Sequence, residues 1–111
     1  MVETDEFRVY LLQLNPNLVF TEHFYERQRY RKISEARIRE RLKDCKDLID
    51  VQDKGLTEHA RHTFSLLFKM SDHYDLRVVI SIKGKDLRIV TAHIQDIRKR
   101  KGLRKWSESF R

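Results

Sequence analysis

The stretch Leu76-Arg77-Val78-Val79-Ile80-Ser81-Ile82-Lys83-Gly84-Lys85-Asp86-Leu87-Arg88-Ile89-Val90-Thr91-Ala92-His93 decides the fold. Leu76, Val78, Ile80 and Ile82 alternate with Arg77, Val79 and Ser81, the period of a half-buried strand. Gly84-Lys85 predicts a tight hairpin, since glycine supplies the positive φ such a turn needs. Pairing Lys83 with Asp86 then sets Ile82 against Leu87, Ile80 against Ile89, Val78 against Thr91 and Leu76 against His93. Side chains alternate between faces along a strand. This register therefore puts Thr91 and His93 in the apolar row, as its only polar members, side by side at one end. Buried polar groups cost free energy unless paired. Either both are satisfied structurally, or a site opens at that end of the sheet.

Working outward, residues 62–70 alternate in the same way, with Phe64, Leu66, Phe68 and Met70 on one side, and residues 71–75 turn the chain. Leu48–Asp53 predicts a shorter strand, followed by the polar connection Lys54-Gly55-Leu56-Thr57-Glu58. Before it, Ser34 caps a helix in which Ile38, Leu42, Cys45 and Ile49 recur at helical spacing and Glu35 suits the positive end of the dipole. Cys45 is a small core residue on that stripe. A preceding helix starts at Thr21 or Glu22 and ends near Lys32. His23, Arg27 and Arg31 stand four apart on it and form one slanting row, with Phe24 and Tyr30 on its flanks. That row is poor core material and suits a site that handles phosphate. The plainer reading is a basic, partly exposed helix face. Nearer the start, residues 7–14 are rich in β-formers and predict a strand. Asn15-Pro16-Asn17 turns, and Leu18-Val19-Phe20 is a second short extended piece.

The expected architecture is α+β: two N-terminal helices packed on one face of an antiparallel meander of about four strands, with a basic C-terminal tail. At 111 residues this is one domain. A lone cysteine permits no disulfide within the chain and fits a reducing compartment. The acidic opening residues and the lack of a long apolar run predict neither signal peptide nor membrane span, hence the cytoplasm.

The net charge is +7, and it is segregated. Residues 98–111 carry +6 and residues 23–43 carry +5, so the rest of the chain is net negative. Charge gathered in two regions favours a polyanion partner, although dense surface charge can also mark adaptation to heat. In the tail, Arg98, Lys99, Arg100, Lys101, Arg104 and Lys105 surround Trp106, which suits phosphate contacts and base stacking. Ile94, Ile97, Leu103 and Trp106 could equally dock the tail as an amphipathic helix.

The motif His23-x3-Arg27-x3-Arg31-x-Ile33-Ser34, taken with Ile89-Val90-Thr91-Ala92-His93, resembles small domains of the barnase–EndoU–colicin–RelE-like nuclease superfamily. The resemblance covers roughly residues 18–100. It implies a RelE-like fold and metal-independent cleavage of RNA, in which the ribose 2′-hydroxyl attacks the neighbouring phosphate to leave a 2′,3′-cyclic phosphate. On that resemblance His23 and His93 are the acid/base candidates, since histidine titrates near neutrality. Arg27 and Arg31 would clamp phosphate with their forked donors, and Thr91 would supply a positioning hydroxyl. Arg88, on the opposite sheet face in the regular register, is an outside candidate. No cofactor is implied. RNA, either free or on the ribosome, is the implied partner, together with a cognate neutralising protein if the chain is a RelE-type toxin.

Two other classes compete. A non-catalytic RNA- or ribosome-binding domain needs only the basic regions and leaves the histidines structural. A metal site could form from Glu58-His59-x2-His62 with His73. A serine hydrolase lacks the Gly-x-Ser-x-Gly elbow.

Overall fold

In a computed structural model of the chain, residues 3–31 and 33–100 are described, less the side chains of Tyr30, Lys99 and Arg100. The fold is α+β. Three α-helices, α1 (Thr4–Leu14), α2 (Glu22–Arg31) and α3 (Glu35–Asp44), combine with five strands: β1 (Asn17–Phe20), β2 (Leu48–Leu56), β3 (His62–Lys69), β4 (Tyr74–Lys83) and β5 (Asp86–Asp96). The sheet order is β1-β5-β4-β3-β2, so the first strand lies at one edge beside the last. β1 runs parallel to β5 and every other pair is antiparallel.

Residues 7–14 form helix, not the expected strand. Their apolar residues are dense enough to hide the helical period: Phe7 and Leu11 are buried while Val9, Tyr10 and Leu12 are exposed. The start is set by the Glu3 carboxylate, which accepts from Asp5 N, with Asp5 and Glu6 at the positive end of the dipole. Asn15 ends the helix in the left-handed conformation, its N–H bonded to Leu11 O. The helices thus number three rather than two. Leu18-Val19-Phe20 becomes the parallel edge strand, so the sheet has five strands. The polar connection expected at Lys54–Leu56 extends β2, with bulges around Ile49 and Lys54.

The core lies between α1, α3 and one face of the sheet. Phe64, Leu66 and Phe68 of β3, Leu76, Val78, Ile80 and Ile82 of β4, and Leu87, Ile89 and Ala92 of β5 meet Phe7, Leu11, Phe24, Ile38 and Leu42 of the helices. Phe7 and Phe64 are in ring contact at 4.9 Å. The Ser34 cap and the Ile38/Leu42 stripe of α3 form as the sequence requires. Cys45 is buried at its C-cap, and burial, with Asp44 adding to it, pushes the thiol up to about 11. It is therefore an inert thiol.

The hairpin also forms as expected, but its register holds only to Ile89. Ile82 faces Leu87 and Ile80 faces Ile89; then Val79 faces Thr91, Val78 faces Ala92 and Arg77 faces His93. Val90 is one residue too many, a β-bulge. A shift of one residue moves every later side chain to the other face. Thr91 and His93 therefore leave the apolar row, and Ala92 takes their place in the core.

Candidate functional site

Beyond the bulge, the sheet's second face carries a compact polar cluster. The buried side chains of all three helices belong to the core on the other face. Reading the pairings across the strands gives two rows on the second face. One runs Gln52, Ser65, Val79, Thr91; the other runs Asp50, Leu67, Arg77, His93. Leu67 is completely buried but stands apart from the core cluster, which places it under this second face.

Arg77 is held rigidly in the cluster. Its Nη1 donates to Ser65 Oγ at 2.7 Å and its Nε to Gln95 Oε1 at 3.3 Å. His93, directly across from it, is half-buried. Burial first, then the Arg31 and Arg77 cations, lower its pKa below the ordinary 6.5, with a Gln95 side-chain hydrogen bond working the other way. The imidazole is thus kept neutral at neutral pH and free to accept a proton.

Helix α2 brings the third element. Thr21 starts it: its hydroxyl oxygen accepts from Phe24 N at 3.1 Å and the hydroxyl donates towards Ile89 O and Val90 O at 3.2 and 3.4 Å. One side chain therefore caps the helix and satisfies carbonyls at the bulge. Phe24 then pins α2 to Phe20, with ring centroids 4.9 Å apart. At the far end Arg31 Nη1 donates to Thr91 Oγ1 at 2.9 Å and to Ala92 O at 3.1 Å.

Of the α2 row that the resemblance groups with Thr91 and His93, Arg31 is the member that reaches them. The contact is made on the opposite face from the one the regular register chose. His23 and Arg27 are exposed and make no hydrogen bond or ion pair among the described residues. Their direction follows from Tyr25. Its hydroxyl is drawn to Glu35 of α3, which raises its pKa, so Tyr25 marks the helix-covered side. At about 100° per residue, His23 and Arg27 each lie about 160° from Tyr25. They therefore lie on the side of α2 turned away from Tyr25 and its Glu35 contact.

Arg88 shares the second sheet face, opposite Ser81, because the bulge falls after it; it is exposed and lies 3.1 Å from Asp86. Arg98 is tied to Asp96, which it and the Arg98 backbone N–H hold down at about 2. Lys101, Arg104, Lys105 and Trp106, with the side chains of Lys99 and Arg100, lie outside the described residues. Sequence reasoning missed Arg77, Ser65 and Gln95. Their signal was the alternation itself: each occupies the polar phase of its strand, and only the pairing of three strands shows that they touch.

The histidine pattern at residues 58–62 takes a different form. Glu58 and His59 lie in a turn, while His62 opens β3, stacks on Phe64 at 4.2 Å and bonds Asp53 Oδ1 at 2.6 Å. Among the described residues no three His, Cys, Asp or Glu side chains are placed to hold a metal ion. No described helix is long and apolar enough to cross a membrane. A hollow of about 270 Å³ lies on the helix side, lined by Leu11, Leu12, Leu18 and Leu42 with Arg39 and Lys43, away from the His93 cluster.

Compared with protein-family models, curated proteins and solved structures, the chain matches none.

Proposed function

We propose that this protein is a metal-independent endoribonuclease of RelE-like type whose site is the Arg31–Arg77–Thr91–His93 cluster. The observation that carries the reading is a half-buried histidine held neutral between two arginines on a sheet face. His93 takes the proton of a ribose 2′-hydroxyl, and the freed oxygen attacks the adjacent phosphorus. The bond to the 5′-oxygen breaks, a 2′,3′-cyclic phosphate remains, and the departing oxygen takes its proton from the solvent. Arg31 and Arg77 stabilise the charge gathering on the phosphate. Both can do so while anchored. Guanidinium has five donors, and Arg31 Nη2 and Arg77 Nη2 have no partner among the described residues. Thr91, fixed by Arg31, positions rather than reacts. The same reading carries a neutralising protein as partner and the ribosome as a setting for cleavage.

The second reading, an RNA-binding domain without turnover, is favoured by the same hydrogen bonds, since each arginine also has a structural task. Incubation with labelled RNA in excess EDTA separates the two. Products ending in 2′,3′-cyclic phosphate, lost in His93→Ala and Arg77→Ala, support the nuclease. Intact RNA on both free transcripts and translating ribosomes, with salt-sensitive binding retained, supports the binding domain.

A further inference from the structure

We propose that the exposed side of α2 is a track for the backbone of single-stranded RNA, with Arg27 and His23 holding successive phosphates outside the reacting one. The inference rests on the reading of the Arg31–His93 cluster as an RNA site, and it moves His23 and Arg27 from the chemistry to the binding of the strand. Three observations carry it. Arg31 is fixed to Thr91 and Ala92, so the row has one end inside the cluster. Arg27 and His23 continue the row on the side turned from α3, exposed and without protein partners among the described residues. Unlike Arg41, Arg61 and Arg98, each paired with an aspartate, Arg27 has its whole donor set available. An exposed arginine without a protein partner, one helical turn before the Arg31 that enters the cluster, is placed to meet a polyanion rather than to stabilise the fold.

The dimensions agree. A rise of 1.5 Å per residue puts about 6 Å between successive members of the row and about 12 Å between His23 and Arg31. That is the scale of phosphate spacing along an extended single strand, in which each phosphate can meet one residue. A duplex presents its backbone as a wide curved surface, and a straight row at a helix edge meets less of it. The track selects single strands that extend about two nucleotides past the reacting phosphate.

The test uses the full chain and a fluorescent oligodeoxynucleotide of twelve residues, which lacks the 2′-hydroxyl and so cannot be cleaved. Affinity is measured against salt for the wild type, Arg27→Ala, His23→Ala and Arg29→Ala. Arg29 is the control: it is equally exposed on α2 and loses the same charge, but lies about 160° around the helix from Arg27. Arg27→Ala is expected to weaken binding several-fold and to lower the slope of log affinity against log salt by about 0.7, the value for one phosphate contact to a single strand. His23→Ala weakens binding less, and Arg29→Ala leaves both quantities within error. With a dinucleotide probe the Arg27→Ala effect disappears. Equal losses in Arg27→Ala and Arg29→Ala would overturn the track in favour of diffuse attraction. So would a normal Arg27→Ala variant whose affinity still falls on Arg77→Ala substitution, and in that case the cluster would stand. Failure of the wild type to bind at all would overturn the track, and the Arg31–His93 cluster would then stand or fall on the cleavage assay with RNA and ribosomes.

Discussion

Arg31, the last residue of α2, reaches across to Thr91 with 2.9 Å between Nη1 and Oγ1, and the same nitrogen holds Ala92 O. This contact fastens the end of a helix to the strand immediately after its bulge. It also sets one cation beside the His93 imidazole. Arg31→Ala should therefore cost stability as well as function. Loss of two hydrogen bonds from a charged donor at a half-buried site is worth about 1–3 kcal/mol. The check is urea denaturation alongside RNA cleavage. Arg31→Lys should recover part of the stability but less of the activity, because a point charge does not reproduce the fork.

The pH dependence follows from His93. Its pKa lies below 6.5 in the folded protein and at its ordinary value when unfolded. The unfolded chain thus binds more protons between those two values, so stability is full above about 6.5 and falls as pH drops through the window beneath it. As a base, His93 should keep working below the pH at which an ordinary histidine stops. Arg77→Gln removes one of the charges responsible and should move the acid limb of the rate profile upwards. A limb that stays in place would separate Arg77 from His93.

Deleting Val90 should remove the bulge without turning any side chain over, because Ile89 still faces Ile80 while Thr91 still faces Val79 and His93 still faces Arg77. The Arg31–Thr91 contact is kept, and the cost is about 1–2 kcal/mol, from the Val90 side chain and the Val90 carbonyl that Thr21 reaches. Thermal unfolding of the deletion variant beside Val90→Ala, which keeps the bulge, separates the two contributions.

That bulge is also why the site was only half legible. Composition, alternation and the Gly84-Lys85 turn were enough for the meander and for the pairing up to Ile89. The Ser34 cap and the Ile38/Leu42 stripe were enough for α3. A bulge leaves no mark in the alternation around Thr91, because Val90 is apolar like its neighbour Ile89. The row of His23, Arg27 and Arg31 was visible, and the resemblance grouped it with Thr91 and His93, but neither the face nor the fact that Arg31 alone makes the contact could be read. Residues 7–14 failed for a different reason. Their β-forming composition outweighed the Phe7–Leu11 period until packing on Phe64 decided the matter.

Arg61 joins the loop before β3 to the tip of the β4–β5 hairpin. It donates to Ser81 Oγ at 2.7 Å, Ser81 O at 2.8 Å and Asp86 O at 3.0 Å, and pairs with the Asp86 carboxylate. Arg61→Met should destabilise by about 2–3 kcal/mol while leaving the Arg77–His93 pairing in place. Calorimetry would show the loss. A fall in RNA affinity beyond that expected from removing one charge would indicate that the hairpin tip also positions the site.

The parallel pairing of β1 with β5 bears on when the protein can act. The first strand synthesised has its sheet neighbour at residues 86–89, so it waits for nearly the whole described chain, and such distant contacts form late. Thr91 and His93 lie further on still. A chain interrupted before β5 offers Arg31 nothing to hold and has no site. If the proposed ribonuclease activity holds, this order of assembly keeps an unfinished copy harmless to the message that encodes it.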